Sequence, residues 1–316
     1  MTFLSVDLGG TSLRLATFTK EGDLISRESF HLEKRQGSEV GKLIRQRVEK
    51  QLQDNPDIQA IGASVPGISR KTTQTVWAPN IPGWEDYPLW EEISGVSEGI
   101  PVTIDCDRAC YILGEYWKGH AKGCNDAIYL SVGTGIGAGI LVDGRVLQGA
   151  HGIAGSVGWM ALDRPFQEKY IPCGCFEYHA SGAGLAKVAQ EKLATTAGSP
   201  GKPSMTAQKI EAGDVFAAYD KGEKWAISTL ENAIGYWGMG VANLISIFNP
   251  EKIIFGGGVF GPGKRFLEDI ATEAKQWAQP VSMKLVSFDV SALGGDAGLY
   301  GAGYLASQTL ENQNAL

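Results

Sequence analysis

The sequence predicts an α/β fold in which two related lobes face each other across a cleft. An apolar run leads into a glycine-rich turn twice, at Asp7–Thr11 and again at Gly133–Gly137, and strand-like residues resume after each turn. Elsewhere, apolar runs of strand length alternate with longer segments of helical periodicity, as in α/β domains. A chain of 316 residues is long enough for two domains of ordinary size.

The first half of the chain contains two predicted meanders with helices between them. Residues 1–30 are predicted to form three strands, because their apolar runs are separated by turn residues. The elements that follow are a helix over about 38–54, a strand over 58–65 closed by Pro66-Gly67, a turn-rich stretch over 70–90, a strand over 101–104, a helix over 108–118 and a second meander over 126–148. Because the second meander repeats the first, we expect each to belong to its own lobe.

The second half is predicted to be mostly helical. Helical spacing covers 183–197, 205–212, 214–220, 222–247, 263–277 and 297–309, and strands are expected at 252–255 and 283–288. Asn249-Pro250 ends the long helix, since proline cannot continue it. The strand over 252–255 leads directly into Gly256-Gly257-Gly258.

Composition excludes several classes of protein. Hydrophobic residues make up 43% of the chain, charged residues 20%, and the formal net charge is −7. No basic stripe of the kind that follows a nucleic-acid backbone is present, so no nucleic-acid partner is expected. Asp7 interrupts the first apolar run, which argues against a signal peptide, and no apolar run reaches 18 residues, which argues against a membrane span. The five cysteines are expected to be reduced thiols in a cytoplasmic protein.

The two glycine-rich turns indicate binding of an anion. Glycine lets the backbone approach a phosphate closely, and an aspartate can hold a cation through water. We call Gly9–Thr11 the first glycine loop and Gly133–Gly135 the second glycine loop. Gly133, Gly135 and Ala138 also fit a dinucleotide-binding fingerprint, but that motif requires a helix directly after the glycines. Both loops are instead followed by hairpin patterns, so two loops gripping one polyphosphate is the favoured interpretation.

Eight motifs fall in the order and spacing of one family. They are Asp7-Leu-Gly-Gly-Thr11, Ser64-Val-Pro-Gly67, Ala78–Trp84, Asp107 with Leu113-Gly-Glu115, Gly133–Gly139, Gly149–Gly155, Gly256–Gly258 and Gly294–Ala302. In these motifs the chain resembles the ROK family (repressor, open reading frame, kinase), whose sugar kinases belong to the actin/hexokinase superfamily. The resemblance implies two actin-like (ribonuclease-H-like) lobes around an interlobe cleft. It assigns 1–118 and 297–316 to the N-terminal lobe and 119–296 to the C-terminal lobe.

The resemblance also implies the catalytic and nucleotide-binding residues. Asp107 would be the general base that takes the proton of the attacking sugar hydroxyl. The competing interpretation is that Asp107 caps the helix that follows, although Asp105 could do so instead. Asp7 would hold Mg²⁺ through water. The family's phosphate and adenosine contacts align with Gly9, Gly10, Thr11, Gly133, Thr134, Gly135, Gly256, Gly257 and Gly258.

The implied sugar pocket departs from the family pattern. Its residues would be Gly67, Asn80, Cys106, Asp107, Ser156, Trp159 and Glu177. Cys106 stands where the family usually has Asn, and Ser156 and Trp159 replace a Glu and a His that bind sugar hydroxyls. Trp159 could stack on an apolar sugar face or fill vacated volume. Since lost hydroxyl partners change which sugar fits, we expect altered specificity, with glucose a poor substrate.

The family's zinc segment is shortened here. Only Cys173 and Cys175 remain, and the lost His at position 159 is itself a zinc ligand in the family. His179 is a possible third ligand, but packing is its favoured role. Because structural zinc sites use four N or S ligands, we do not expect structural zinc.

These observations predict an ATP-dependent kinase for a hexose or a hexose derivative, with Mg²⁺ as a cofactor. The alternative is a non-catalytic sugar sensor of the same family. The repressors of the family carry an N-terminal DNA-binding extension, and here the fold starts almost at residue 1, so a DNA-binding role is not expected. A homodimer is expected from family habit.

Overall fold

The computed structural model describes residues 1–197 and 210–314. The strands, in chain order, are β1 Thr2–Leu8, β2 Ser12–Thr19, β3 Leu24–His31, β4 Ile58–Val65, β5 Ile68–Arg70, β6 Thr75–Trp77, β7 Val102–Cys106, β8 Ala127–Val132, β9 Ile136–Val142, β10 Arg145–Val146, β11 Lys252–Gly256 and β12 Ser287–Val290. The α-helices are α1 Ser38–Asp54, α2 Leu89–Ser94, α3 Asp107–Lys118, α4 Cys175–Ala180, α5 Gly182–Ala197, α6 Ala212–Asp220, α7 Lys224–Phe248, α8 Leu267–Trp277, α9 Pro280–Leu285 and α10 Ala297–Asn314.

Two five-stranded sheets share one architecture. The first has the order β3-β2-β1-β4-β7 and the second the order β10-β9-β8-β11-β12. In each sheet the first three strands in sequence form an antiparallel meander, and the last two run parallel to the strand that begins the meander. Both predicted meanders are therefore confirmed, and so is the prediction of two related α/β lobes.

Helices cover the sheets because the central strands are apolar on both faces. Six of the seven residues of β1 and seven of the eight of β4 are buried, as expected for strands packed on two sides. One core cluster joins the first sheet to α1 and α2, and a second joins the other sheet to α4, α5, α7 and α8.

Helix α3, which begins at Asp107, is held firmly against α10. A Cβ on Gly301 would lie 1.7 Å from the Cys110 carbonyl oxygen, and one on Gly114 would lie 2.3 Å from that of Ala297. Only glycine permits so close an approach of two helix backbones. This packing fixes the position of the helix that carries Asp107.

The structure differs from the sequence prediction in several places. The predicted strand over 283–288 is wrong: residues up to Leu285 belong to α9, and β12 starts only at Ser287. Pro280 occupies the first turn of α9 and the Gln279 side chain accepts from two backbone N–H groups, so local capping favours a helix. The helices α2 and α4 and the hairpin β5–β6 were not predicted. Most of the helix predicted over 205–212 lies outside the described residues.

Within the described ranges, none of the helices has the length and apolar character needed to cross a bilayer.

Candidate active site

A cleft of about 700 Å³ lies where strand ends of both sheets meet. Its volume is within the range of small-molecule sites. The lining residues are Asp7, Leu8, Gly9, Gly10, Arg14, Pro66, Gly67, Ile68, Trp77, Pro79, Asn80, Asp107, Arg108, Tyr111, Ser131, Gly133–Gly137, Ile153, Ser156, Trp159, Glu177 and Ala183. The structure thus brings together most of the residues that the sequence singled out, although they are distant along the chain.

Strand polarity explains this convergence. Strands β1, β4 and β7 are parallel, so their carboxyl ends lie at one edge of the first sheet. Asp7 lies near the end of β1, Pro66-Gly67 follows β4, and Asp107 follows β7. Ligands of open parallel sheets bind at this edge.

The first glycine loop is the turn between β1 and β2. The Gly9 N–H donates to the Ser12 carbonyl at 2.8 Å and closes the turn. Gly10 is exposed toward the cleft, and a Cβ there would lie 3.6 Å from Asn80 Cβ. Thr11 is exposed but does not line the cleft, so a phosphate contact from its side chain is not supported by this arrangement.

The second glycine loop is the corresponding turn between β8 and β9. The Gly133 N–H donates to the Gly135 carbonyl at 3.0 Å, and the start of α5 donates back to Gly133 through the Gly182 N–H at 2.8 Å. A Cβ on Gly135 would lie 2.6 Å from Glu177 Oε2. The start of α5 therefore stabilises the second glycine loop, and the absence of a side chain at Gly135 leaves room for Glu177.

Asp107 is the first residue of α3 and lines the cleft. Its Oδ1 accepts from the Arg108 backbone N–H at 2.8 Å, and the Tyr111 hydroxyl lies 3.5 Å from Oδ2. The N-cap residue Cys106 makes no side-chain capping bond, whereas Asp107 accepts an N–H of the first turn and Asp105 accepts the Cys106 N–H at 2.8 Å. Asp107 therefore contributes to the start of α3 as well as lining the cleft. Tyr111 was missed from sequence, although it lies one turn after Asp107 on the same helix face.

Burial raises the pKa of Asp107 to about 6, and the nearby Arg108 charge limits the rise. A carboxylate with a pKa near neutrality is well matched to accepting a proton from a substrate. Its geometry and electrostatics therefore suit a general base.

Asp7 is buried beside the first glycine loop and forms an ion pair with Arg14. Arg14 also donates to the Gly295 carbonyl at 2.6 Å and to Asp296 Oδ1 at 3.1 Å, so it links β2 to the start of α10. Burial raises the pKa of Asp7, and the Arg14 charge opposes that rise. Asp7 lies directly opposite Arg14 in the β1–β2 register, so the hairpin pattern could have indicated this pair, whereas Asp296 is remote from Arg14 in sequence.

The arrangement around Asp7 fits a magnesium ion that is held indirectly. In the described part of the chain, no group of three or more His, Cys, Asp or Glu side chains is placed to bind a metal. Mg²⁺ keeps several waters and is commonly held through one or two carboxylates together with substrate phosphates. A single carboxylate beside a glycine loop meets that requirement.

Apolar side chains form part of the cleft lining. Trp159 is 57% exposed, and Ile68, Trp77, Pro79 and Ile153 also line the cleft. The Ser156 hydroxyl donates to the Ile153 carbonyl at 2.9 Å, so its hydrogen bond stays within its own loop. The altered specificity expected from Ser156 and Trp159 stays a prediction.

Two further residues of the cleft lining, Glu177 and Gly67, are held in place by close contacts. Glu177 accepts the Ile136 N–H at 2.7 Å through Oε2, and burial raises its pKa. Gly67 has φ +144°, and a Cβ there would lie 2.1 Å from the Trp77 carbonyl oxygen. Only glycine lets the chain after β4 lie against the β6 strand that leads to Asn80.

Cys106 is not brought into the cleft. Its side chain is buried and borders a separate small cavity of about 10 Å³ behind β9 and residues 147–154. Burial raises the pKa of its thiol to about 11. The sequence prediction of a sugar contact at this position is not supported by its location.

The Gly256–Gly258 triplet lies beside the second glycine loop and outside the cleft lining. Gly256 is buried, and a Cβ there would lie 1.9 Å from the Tyr129 hydroxyl oxygen. Gly257 has φ +85°, and a Cβ there would lie 2.4 Å from the Val132 carbonyl oxygen. Gly257 and Gly258 are exposed, so backbone without side chains faces solvent next to the second glycine loop.

The cysteine segment forms an aromatic cluster around His179. The His179 ring stacks on Tyr236 with centroids 4.3 Å apart, and its Nε2 lies 2.9 Å from the Tyr170 hydroxyl. Burial lowers the pKa of His179 to about 4, so the ring is neutral. The structure gives His179 a packing role, as the sequence favoured.

Comparisons with known proteins identify the family of this chain. A sequence profile of the ROK family matches residues 3–309. A glucokinase from Halalkalibacterium halodurans is 31% identical over 97% of this chain and 95% of its own. A xylose repressor from Caldicellulosiruptor bescii is also 31% identical, over 92% of this chain and 74% of its own. The crystal structure of a ROK family glucokinase from Streptomyces griseus, in complex with glucose and AMPPNP, superposes with a TM-score of 0.77, 26% identity and coverage of 98% of this chain and 100% of that one. The chain belongs to the ROK family, and its fold is that of the actin-like sugar kinases.

Proposed function

We propose that this protein transfers the γ-phosphate of ATP to a hydroxyl of a hexose or a hexose derivative. The observation that carries the proposal is the position of Asp107, whose carboxylate shares one cleft with two opposed glycine loops. A kinase needs a base near the accepting hydroxyl and donors around the transferred phosphoryl group. The relatives supply the rest of the argument, since two of those compared are glucokinases.

Each part of the cleft has a proposed task. Asp107 accepts the proton of the attacking hydroxyl at a carboxylate oxygen. The backbone N–H groups of Gly9, Gly10, Gly133, Thr134 and Gly135 hold the phosphates, and Gly256–Gly258 support the adenosine. Asp7 would hold Mg²⁺ through water, and Mg²⁺ when bound would supply positive charge to the phosphates. Arg14 keeps the Asp7 carboxylate oriented toward the cleft.

The proposed sugar contacts are Gly67, Asn80, Ser156, Trp159 and Glu177, together with Asp107. We omit Cys106 because it is buried behind the cleft wall. The proposed lobes are 1–118 with 297–316, and 119–296. A homodimer and a cytoplasmic location remain predictions.

A coupled assay with Mg-ATP and about fifty sugars and amino sugars tests the proposal. The Asp107→Asn variant should lose at least about a hundredfold in kcat on the accepted sugar, because general-base catalysis contributes roughly 10²–10⁴-fold. Its affinity for AMPPNP should stay within a few-fold of the wild type, since Asp107 holds no phosphate. A variant that keeps near-normal turnover would remove Asp107 from the mechanism.

The second candidate function is a sugar sensor without catalysis. It is favoured by the similarity to a xylose repressor and by the changed sugar residues Ser156 and Trp159. The intact Asp107 and both glycine loops favour the kinase. A sensor would bind a sugar of the panel without turning over ATP, and the kinase would form a phosphorylated sugar.

A further inference from the structure

Arg108 follows Asp107 directly and is not used by the proposed kinase mechanism. Its side chain lies against β9 at Gly137, which has no side chain to obstruct it. A Cβ on Gly137 would lie 2.7 Å from Arg108 Cδ, and one on Gly139 would lie 2.1 Å from the Arg108 carbonyl oxygen. The chain therefore makes space for a long side chain beside the base.

The guanidinium forms no hydrogen bond and no ion pair with the described residues. Nε and Nη2 are buried without a partner, although the residue as a whole is half-buried and its charge acts on the neighbouring Asp107. The neighbouring acids are occupied otherwise. Asp107 accepts a backbone N–H, and Asp105 accepts from Gln148 Nε2 at 2.8 Å and lies 3.7 Å from Lys71 Nζ.

Buried N–H donors without partners are costly to a folded protein. Arginine cannot avoid this cost by losing its proton, because it stays protonated in proteins. The two donors can therefore be satisfied by an anion from outside the described residues.

The location of Arg108 indicates which anion this is. Arg108 borders the cleft and also the small cavity behind residues 147–154, which contains Gly152 and Ala154. Neither glycine loop borders that cavity. A Cβ on Gly137, which would meet Arg108 Cδ, would also lie 3.8 Å from the Gly155 carbonyl oxygen. The Arg108 side chain therefore lies beside the loop that contains Ile153 and Ser156, where the sugar is proposed to bind.

We infer that Arg108 determines substrate specificity by binding an anionic substituent, a carboxylate or a phosphate, carried by the sugar. The inference rests on the proposed function, because it assumes that the sugar lies beside Asp107. A guanidinium binds either oxyanion with paired N–H donors. The preferred substrate would then be an acidic hexose derivative, whose hydroxyl still reaches Asp107.

Calorimetric titration of the full-length protein, in the presence of Mg-AMPPNP, tests the inference with matched pairs of ligands. The pairs are glucose with glucuronate, galactose with galacturonate, mannose with mannuronate, glucose with glucose 6-phosphate, and mannose with mannose 6-phosphate. At least one acidic member should bind about tenfold or more tightly than its neutral partner, as expected for charged hydrogen bonds. The uronates and the sugar phosphates separate the two kinds of anion.

Two variants assign the effect to Arg108. Arg108→Gln should abolish the preference for the acid and leave the affinities for neutral sugars and for AMPPNP within about threefold. Lys71→Gln removes one positive charge from a 64% exposed side chain nearby and should keep the preference. Arg108→Gln without ligand should melt no lower than the wild type, because it removes buried N–H donors that have no partner, whereas loss of a merely structural arginine would lower Tm.

Wild-type protein alone can overturn the inference. If every acid binds no better than its neutral partner, Arg108 does not recognise an anion on the sugar, whether or not the variant folds. A fall in AMPPNP affinity in Arg108→Gln would assign the residue to nucleotide phosphate and would also overturn it. Failure of the kinase proposal looks different: no member of the panel would be phosphorylated, even where an acid binds preferentially through Arg108.

Discussion

At the scale of single residues, the site depends on how burial changes the behaviour of carboxylates. Asp7 lies near the end of β1 and Asp107 directly after β7, two parallel strands with β4 between them, and burial raises the pKa of both. Their partners differ. Asp7 forms an ion pair with Arg14, whereas Asp107 accepts a backbone N–H, has a tyrosine hydroxyl 3.5 Å away and lies near the Arg108 charge. Because no described residue forms an ion pair with the Asp107 carboxylate, that carboxylate is the one left to accept a proton from a substrate.

The pH dependence of turnover should report the pKa of Asp107. A general base acts only as the carboxylate, so kcat/KM should be constant well above pH 6 and fall about tenfold per pH unit below it. Initial rates measured by direct product separation between pH 4.5 and 8.5 would show this. Melting temperatures over the same range control for unfolding. A profile that stays flat to pH 5 would contradict the assignment of the base.

The sequence predicted Asp107 and Asp7 because each follows a recognisable strand. It could not predict which groups would surround them. The Arg14–Asp296 contact joins residues far apart in the chain, and the isolation of Arg108 is visible only once β9 is placed against α3. Cys106 adjoins the base in sequence, but its buried side chain borders the small cavity behind β9 and is not part of the cleft lining.

At the scale of elements, α3 connects the two sheets through a buried acid. Glu115 is fully buried and accepts from the Ser291 hydroxyl at 2.5 Å, the Leu293 N–H at 3.3 Å and the His120 N–H at 2.8 Å. These three donors lie just after α3 and just before α10, where the chain passes between the proposed lobes. Glu115 therefore hydrogen bonds helix α3 to both of the segments that connect the proposed lobes.

The Glu115→Gln variant should lower the free energy of unfolding by about 1–3 kcal/mol, because an amide group would face donors that now bind a carboxylate oxygen. Chemical denaturation would measure the change. Glu91→Gln, on the exposed side of α2, is the matched control and should stay within about 0.5 kcal/mol of the wild type. Equal stability of the two variants would show that Glu115 is not a structural tie.

Local patterns predicted the meanders well because turn residues and alternation are short-range signals. The bounds of the strand expected over 283–288 were wrong because a second short-range signal was overlooked. Gln279-Pro280, a few residues earlier, caps the helix α9, so the strand begins only at Ser287. Helix α4 was missed because its cysteine-containing sequence was interpreted as a metal segment.

Removal of metal should not destabilise the protein around α4. His179 is stacked on Tyr236 and hydrogen bonded to Tyr170, so packing holds this region. We expect elemental analysis to find less than one zinc per chain and EDTA to leave Tm unchanged. One tightly held zinc per chain, with a lower Tm after chelation, would contradict this prediction and would indicate ligands beyond Cys173, Cys175 and His179.

At the scale of the whole molecule, the repeated sheet topology creates the site. Each sheet contributes one glycine loop at the turn after the strand that begins its meander, and the cleft lies between the loops. Residues of the two lobes must therefore approach one another for a phosphate to be held from both sides. The segments around Asn80 and around Ser156 border the same cleft from different parts of the chain.

Closure of the cleft should require the sugar as well as the nucleotide. A kinase that closed around ATP alone would position the γ-phosphate for attack by water, and induced fit by the second substrate avoids this reaction. Small-angle scattering should show a smaller radius of gyration with AMPPNP and the accepted sugar together than with AMPPNP alone. Asp107→Asn is a useful control, because it removes the base without removing a phosphate contact and should still compact. Full compaction with AMPPNP alone, or none with an accepted sugar, would show that the sugar does not drive closure.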